Sequence, residues 1–168
     1  MNKKYSVGIV GATGAVGGVL LQVLAERKFP IRELHLFASE KSRDKRIVFL
    51  GNEISVQELN PSKFSGIDFV FFAGTGSLSE QFAPEAVKYG AIVIDKSSTW
   101  RMNPNVPLVV PEVNSNALKS HQGIISCPNC TTIAFVMALE PIRRAAGLKH
   151  VIVTTMLAVS GAGKKGLA

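Results

Sequence analysis

The chain is 168 residues long, 46% hydrophobic and 18% charged, which fits one folded domain with a core and excludes a disordered or fibrous chain. No apolar run reaches the roughly 18–20 residues of a membrane span, and Met1-Asn2-Lys3-Lys4-Tyr5 opens no signal peptide, so a cytoplasmic protein without membrane contact is expected. The net charge is +7, but outside Lys41–Arg46 the cations are scattered and do not interleave with aromatics, which argues against nucleic acid and for phosphorylated small molecules.

In chain order, short β-branched runs alternate with longer helical patterns. Tyr5–Val10 reads as a strand. Val16, Val19, Leu20, Val23 and Leu24 recur at helical spacing and predict a helix over Val16–Arg27. Leu34–Ala38 reads as a second strand, and Arg46–Leu50 with Glu53–Gln57 as a small antiparallel pair joined through Gly51-Asn52. The continuous apolar run Asp68–Phe72 suits a parallel strand buried on both faces. A helix over Ser79–Tyr89 is stopped by Gly90, a buried strand follows at Ala91–Asp95, and Val106–Val110 is extended. Cys130–Ala146 reads as a helix strained near Pro141. Val151–Val159 reads as a last strand before Ser160-Gly161-Ala162-Gly163. The alternation predicts an α/β fold, a doubly wound and mostly parallel sheet with helices on both faces. A boundary near Gly147–His150 divides residues 1–148 from the start of a second α+β domain at 149–168, so the chain reads as a fragment, expected to turn over nothing by itself.

Between the first strand and first helix lies Gly8-Ile-Val-Gly11-Ala-Thr-Gly14-Ala-Val-Gly17. Glycine suits such a place because the turn is tight, the backbone must approach a pyrophosphate, and the helix packs closely on the strand. The helix N-terminus then offers free N–H groups to phosphate. A tight turn with no ligand is the plainer alternative, but the strand–turn–helix setting favours a Rossmann-type dinucleotide site. The second strand ends Phe37-Ala38-Ser39-Glu40-Lys41-Ser42-Arg43. Its hydroxyls and cations suit a 2′-phosphate, hence NADP over NAD. Glu40 is the contrary sign, since an NAD site places an acid there for the ribose 2′-OH.

Two cysteines stand in Cys127-Pro-Asn-Cys130, too few for a four-ligand zinc site, and no metal is expected. Cys130 lies at a predicted helix start, where a thiolate is favoured. Three readings fit: a nucleophile forming a thioester or thiohemiacetal, a Cys-x-x-Cys redox pair, or two small thiols without chemistry. His35, His121 and His150 are placed by no pattern near Cys130.

Together these segments resemble the aspartate-semialdehyde dehydrogenase family. The carriers, in the family's order, are Gly11-Ala-Thr-Gly-Ala-Val-Gly17, Asp95-Lys-Ser-Ser-Thr-Trp-Arg-Met102, Val106-Pro-Leu-Val-Val-Pro-Glu-Val-Asn114, Cys127-Pro-Asn-Cys-Thr-Thr-Ile133 and Ala158-Val-Ser-Gly-Ala-Gly163. The resemblance implies reductive dephosphorylation of an aspartyl phosphate to the semialdehyde with NADPH. It implies Cys130 as nucleophile and Asn129 and Arg101 as phosphate contacts. It implies Gly11, Thr13, Gly14, Ala15 and Val16 at the pyrophosphate, Ser39, Lys41 and Ser42 at the 2′-phosphate, and Ser160 and Gly161 in a second cofactor loop. It further implies a catalytic and dimerising second domain, carrying a His and another Arg, and a homodimer or homotetramer at full length. The resemblance departs at Lys96, where Asn is usual, at Ala134, and at Leu157, where a substrate-placing Gln is usual. These departures keep open a reductase of another acyl phosphate or of an acyl-CoA, or a catalytically silent nucleotide-binding relative.

Overall fold

The computed structural model describes residues 3–159. Strand β1 is Tyr5–Val10, and the chain leaves it through helix α1, Ala15–Glu26, to β2 at Ile31–Ala38. Strands β3 (Arg46–Phe49) and β4 (Asn52–Glu58) form the antiparallel hairpin, β5 is Phe69–Phe72, and α2 is Gly76–Lys88. Then come β6 (Ile92–Asp95), a single helical turn α3 (Pro111–Asn114), β7 (Ile124–Ser126) and α4 (Cys130–Ala146).

The seven strands lie in the order β3-β4-β2-β1-β5-β6-β7. All pair in parallel except β3, which runs antiparallel to β4. Two cores result, one per face. Val7, Ile9, Leu36 and Val56 pack with Leu21 and Leu24 of α1. Val10, Phe37, Val70, Phe72 and Val93 pack with Ala83 and Ala86 of α2. The alternation of Val7 and Ile9 against Val10 along one strand serves both layers, as a doubly wound sheet requires. Gly90, with φ +88°, ends α2: its N–H reaches the Val87 carbonyl, and the Ala91 N–H reaches Ala86.

Two expectations need correction. The hairpin turns on Leu50 and Gly51, φ +48° and +82°, with Phe49 paired to Asn52, one residue earlier than Gly51-Asn52. Val106–Val110, expected to be extended, pairs through one isolated bridge, Leu108 to Ser126, because Pro107 has no N–H to donate and Pro111 begins α3. Its neighbour is β7, which three residues are too short to announce by periodicity. Residues 151–158 carry no strand, since no neighbour among the described residues pairs their N–H and C=O groups. Helix α4 runs through Pro141 without interruption.

A candidate nucleotide groove and thiol loop

The parallel strands bring their following loops to one edge of the sheet. The chain leaves β1 toward β2 on one side and returns at β5 on the other. Open α/β sheets bind ligands at such a switch, outside the carboxyl ends of the strands. A groove of about 380 Å³ lies there.

Its floor is the glycine turn. Gly11 has φ +86°, and a Cβ there would stand 2.9 Å from the Ala73 carbonyl carbon and the Gly74 nitrogen. A Cβ on Gly17 would stand 2.4 Å from the Gly11 oxygen. Gly14 is the N-cap of α1, and no side chain caps that terminus, leaving backbone N–H groups free for an anion. The turn therefore fits a bound pyrophosphate.

Of the expected cofactor residues, Gly11, Thr13, Gly14 and Ser39 line the groove. Ala15 and Val16 sit exposed at the start of α1. Ser42 is tied to the turn by Thr13, whose Oγ1 donates to its Oγ at 3.4 Å. Lys41 is exposed and outside the lining. Ser160 and Gly161 lie outside the described residues. Sequence reasoning missed the Glu58-Leu59 end of β4, the Ala73-Gly74-Thr75 segment, and Leu78 and Phe82 of α2, all of which line the groove. The second segment had a signal: Ala73-Gly74-Thr75-Gly76 follows an apolar strand and opens a helix, as the first turn does.

The thiol loop leaves β7 at Ser126. Asn129 is the N-cap of α4, its Oδ1 accepting from the Thr131 backbone N–H at 3.0 Å. The same oxygen accepts from the Cys130 Sγ at 3.8 Å. Cys130 is exposed at the first helical position, whereas Cys127 is half-buried. Burial pushes the Cys127 thiol up, outweighing the nearby Lys96 charge that opposes it. Arg101, in the loop that follows β6, clasps this loop. Its Nε donates to the Cys127 carbonyl at 3.0 Å and its Nη2 to the Lys96 carbonyl at 3.1 Å, while Nη1 has no protein partner among the described residues.

The loop after β6 is held between groove and thiol. Asp95 is fully buried, and its carboxylate accepts from the Ser97 N–H at 3.1 Å and the Ser97 hydroxyl at 2.6 Å. Thr99 Oγ1 donates to the Gly76 carbonyl at 3.0 Å, and Trp100 Nε1 donates to Ser79 Oγ at 2.9 Å. The Asp95 carbonyl accepts the Cys127 N–H at 2.8 Å. A larger hollow of about 470 Å³ between α3 and α4 holds none of the expected site residues. No three His, Cys, Asp or Glu side chains form a metal cluster among the described residues.

This sheet order and glycine turn define a doubly wound, Rossmann-like α/β domain. Residues 6–121 match the family described as semialdehyde dehydrogenase, NAD binding domain. The chain belongs to that family. It is 52% identical to the aspartate-semialdehyde dehydrogenase of Bacillus subtilis, over 98% of this chain and 48% of the relative. It is 53% identical to that of Aquifex aeolicus, over 97% of this chain and 49% of the relative. A Vibrio cholerae structure, aspartate semialdehyde dehydrogenase II complexed with ASA, superposes with a TM-score of 0.96 at 43% identity. That match covers 99% of this chain and 50% of the other. The chain thus spans about half the length of the curated relatives it matches.

Proposed function

We propose that this chain is the NADP-binding part, residues 1–148, of an enzyme that converts L-aspartyl-4-phosphate to L-aspartate 4-semialdehyde through a thioester on Cys130. Residues from 149 onward open a catalytic and dimerising domain, and the whole protein assembles as a dimer or tetramer. One observation carries the reading: an exposed thiol at a capped helix start shares a sheet edge with a glycine-turn groove. The names of the relatives support the substrate.

The chemistry follows from the residues. The Cys130 sulfur attacks the acyl carbon as its thiolate, and phosphate departs with the electrons of the C–O bond. Arg101 orients that phosphate with its Nη1, which has no protein partner among the described residues, while its other nitrogens fix the loop. Asn129 caps the helix and holds the sulfur's position. NADPH bound in the groove would supply the hydride that reduces the thioester carbon, and the Cys130 sulfur would then leave as thiolate, free for the next cycle. Gly11, Thr13, Gly14, Ala15 and Val16 would hold the pyrophosphate, Ser39, Lys41 and Ser42 the 2′-phosphate, and Ser160 and Gly161 would complete the cofactor site.

The test is turnover by the whole protein. Cys130→Ser lowers kcat by about 10³-fold or more, whereas Cys127→Ser keeps activity within about threefold. Loss with Cys127→Ser and not with Cys130→Ser supports a thiol–disulfide protein instead. Leu157, 65% exposed and unable to hydrogen-bond, favours a second reading: another acyl phosphate or an acyl-CoA as donor. Absence of turnover with aspartyl phosphate and its semialdehyde, together with turnover of such a donor, selects it. A Cys130 that labels no faster than a free cysteine peptide supports a silent relative.

A further inference from the structure

The proposed reaction leaves Lys96 without a role, yet the sheet places it between the glycine turn and the thiol loop. Parallel pairing aligns Val10 with Phe72, Phe72 with Asp95, and Asp95 with Ser126. Two hydrogen bonds carry the ladder past these residues. The Lys96 N–H donates to the Phe72 carbonyl at 3.1 Å, and the Cys127 N–H to the Asp95 carbonyl at 2.8 Å. Gly11, Ala73, Lys96 and Cys127 therefore form the next row, with neighbours about 5 Å apart. Side chains along each strand alternate between the two faces. Val93 and Ile124 pack in the α2 layer, and Asp95 follows Val93 on that face, fully buried and engaged by Ser97. Lys96 and Cys127 fall together on the opposite face.

The Lys96 side chain is exposed and has no ion-pair partner among the described residues. Arg101 holds the carbonyls of both row members, Lys96 at 3.1 Å and Cys127 at 3.0 Å, and its Nη1 is left without a protein partner among the described residues. Two cations thus meet at one point of the thiol loop, while the acid between them in the chain, Asp95, is taken up by Ser97. We propose that the Lys96 ammonium is a further phosphate contact, joining Arg101 Nη1 to hold the phosphate of the acyl donor at the thiol loop. This rests on the thioester reading above and deepens it. The two cations divide the work: the guanidinium fork fixes orientation, and the ammonium, a point charge on a flexible stem, follows the anion as its charge rises on C–O cleavage.

Protection of the Cys130 thiol tests the assignment without turnover. The whole protein, with Cys127→Ser so that one thiol of the loop reports, is alkylated by the neutral reagent iodoacetamide over a series of inorganic phosphate concentrations. Labelling of the peptide that carries Cys130 is followed by mass spectrometry. With Lys96 in place, phosphate slows labelling along a saturable curve that gives its dissociation constant. Lys96→Met, which keeps the carbonyl that Arg101 uses, weakens phosphate about tenfold. Lys96→Arg keeps the charge and stays within about threefold. In the direction that consumes phosphate and semialdehyde, Lys96→Met raises the phosphate KM about tenfold. An unchanged constant in Lys96→Met, or an equal loss in Lys96→Arg, overturns the role of Lys96 and leaves the thioester reading standing. Turnover that needs Cys130 but no protection by phosphate does the same. Absence of both turnover and protection in the unsubstituted protein overturns both.

Discussion

Gly17 and Gly18 are neighbours in α1 with opposite demands. A side chain on Gly17 would press on the Gly11 oxygen and on Ala12 Cα, 2.4 and 2.8 Å away, and both are backbone atoms. Nothing lies within 4 Å of a Cβ on Gly18. Gly17→Ala is therefore expected to cost about 2–3 kcal/mol and to weaken nucleotide binding. Gly18→Ala is expected to add about 0.5–1 kcal/mol, because alanine is the better helix former. Denaturant unfolding of the two variants gives shifts of opposite sign. Leu50, at φ +48° in a two-residue turn before Gly51, breaks the Asn-Gly preference of such hairpins. Leu50→Asn should raise the melting temperature. The glycine turn was legible in the sequence because its spacing has a steric cause. That Glu40 lines the groove while Lys41 does not was not, since adjacent residues of a one-turn 3-10 segment, Glu40–Ser42, can face groove or solvent with the same letters.

Helix α4 shows what holds an element whose apolar side chains are only half-covered. Glu140 is its single buried residue. The carboxylate accepts from Arg143 at 2.7 and 2.9 Å and from Arg144 at 2.7 Å. Hydrogen bonds from Arg143, then from Arg144, hold its pKa down at about 2 from an ordinary 4.5. The folded state thus binds this proton more weakly than the unfolded chain. The pairing stabilises fully above about pH 4.5 and is lost as pH falls through 2. Glu140→Gln should melt lower than wild type at pH 7, with the gap closing near pH 2, in thermal unfolding across that range. Elements with long periodic patterns were readable, as α4 was over Cys130–Ala146. Ile124–Ser126 was not, because a three-residue strand is defined by the partner it meets. Val151–Val159 shows the converse: β-branched composition gives the tendency to pair, and pairing still needs a neighbour.

Across the whole molecule, apolar exposure is concentrated after α4. Ile152 is 99% exposed and Met156 94%, in a segment rich in residues that ordinarily lie inside. Large exposed apolar patches bind hydrophobic dyes and drive self-association. Ile152→Asp with Met156→Asp should therefore lower dye binding and aggregation of this chain, and leave its melting temperature within about 2 °C of wild type. No helix among the described residues is long and apolar enough to cross a membrane. The architecture itself was the most legible feature, because alternating strand and helix patterns admit few layered solutions. The sharing of one sheet edge by groove and thiol loop was not encoded in either motif. It arises because both follow parallel strands, and parallel strands end on one side.

Trp100 is the chain's one tryptophan, and it is anchored through its indole N–H in the segment that spans from groove to sulfur. Tryptophan emission from this chain therefore originates at a single known address. Ligands that shift the segment will alter the spectrum's colour and yield, so the polypeptide carries its own optical gauge of events at the sheet edge, readable in a stopped-flow instrument without any added label.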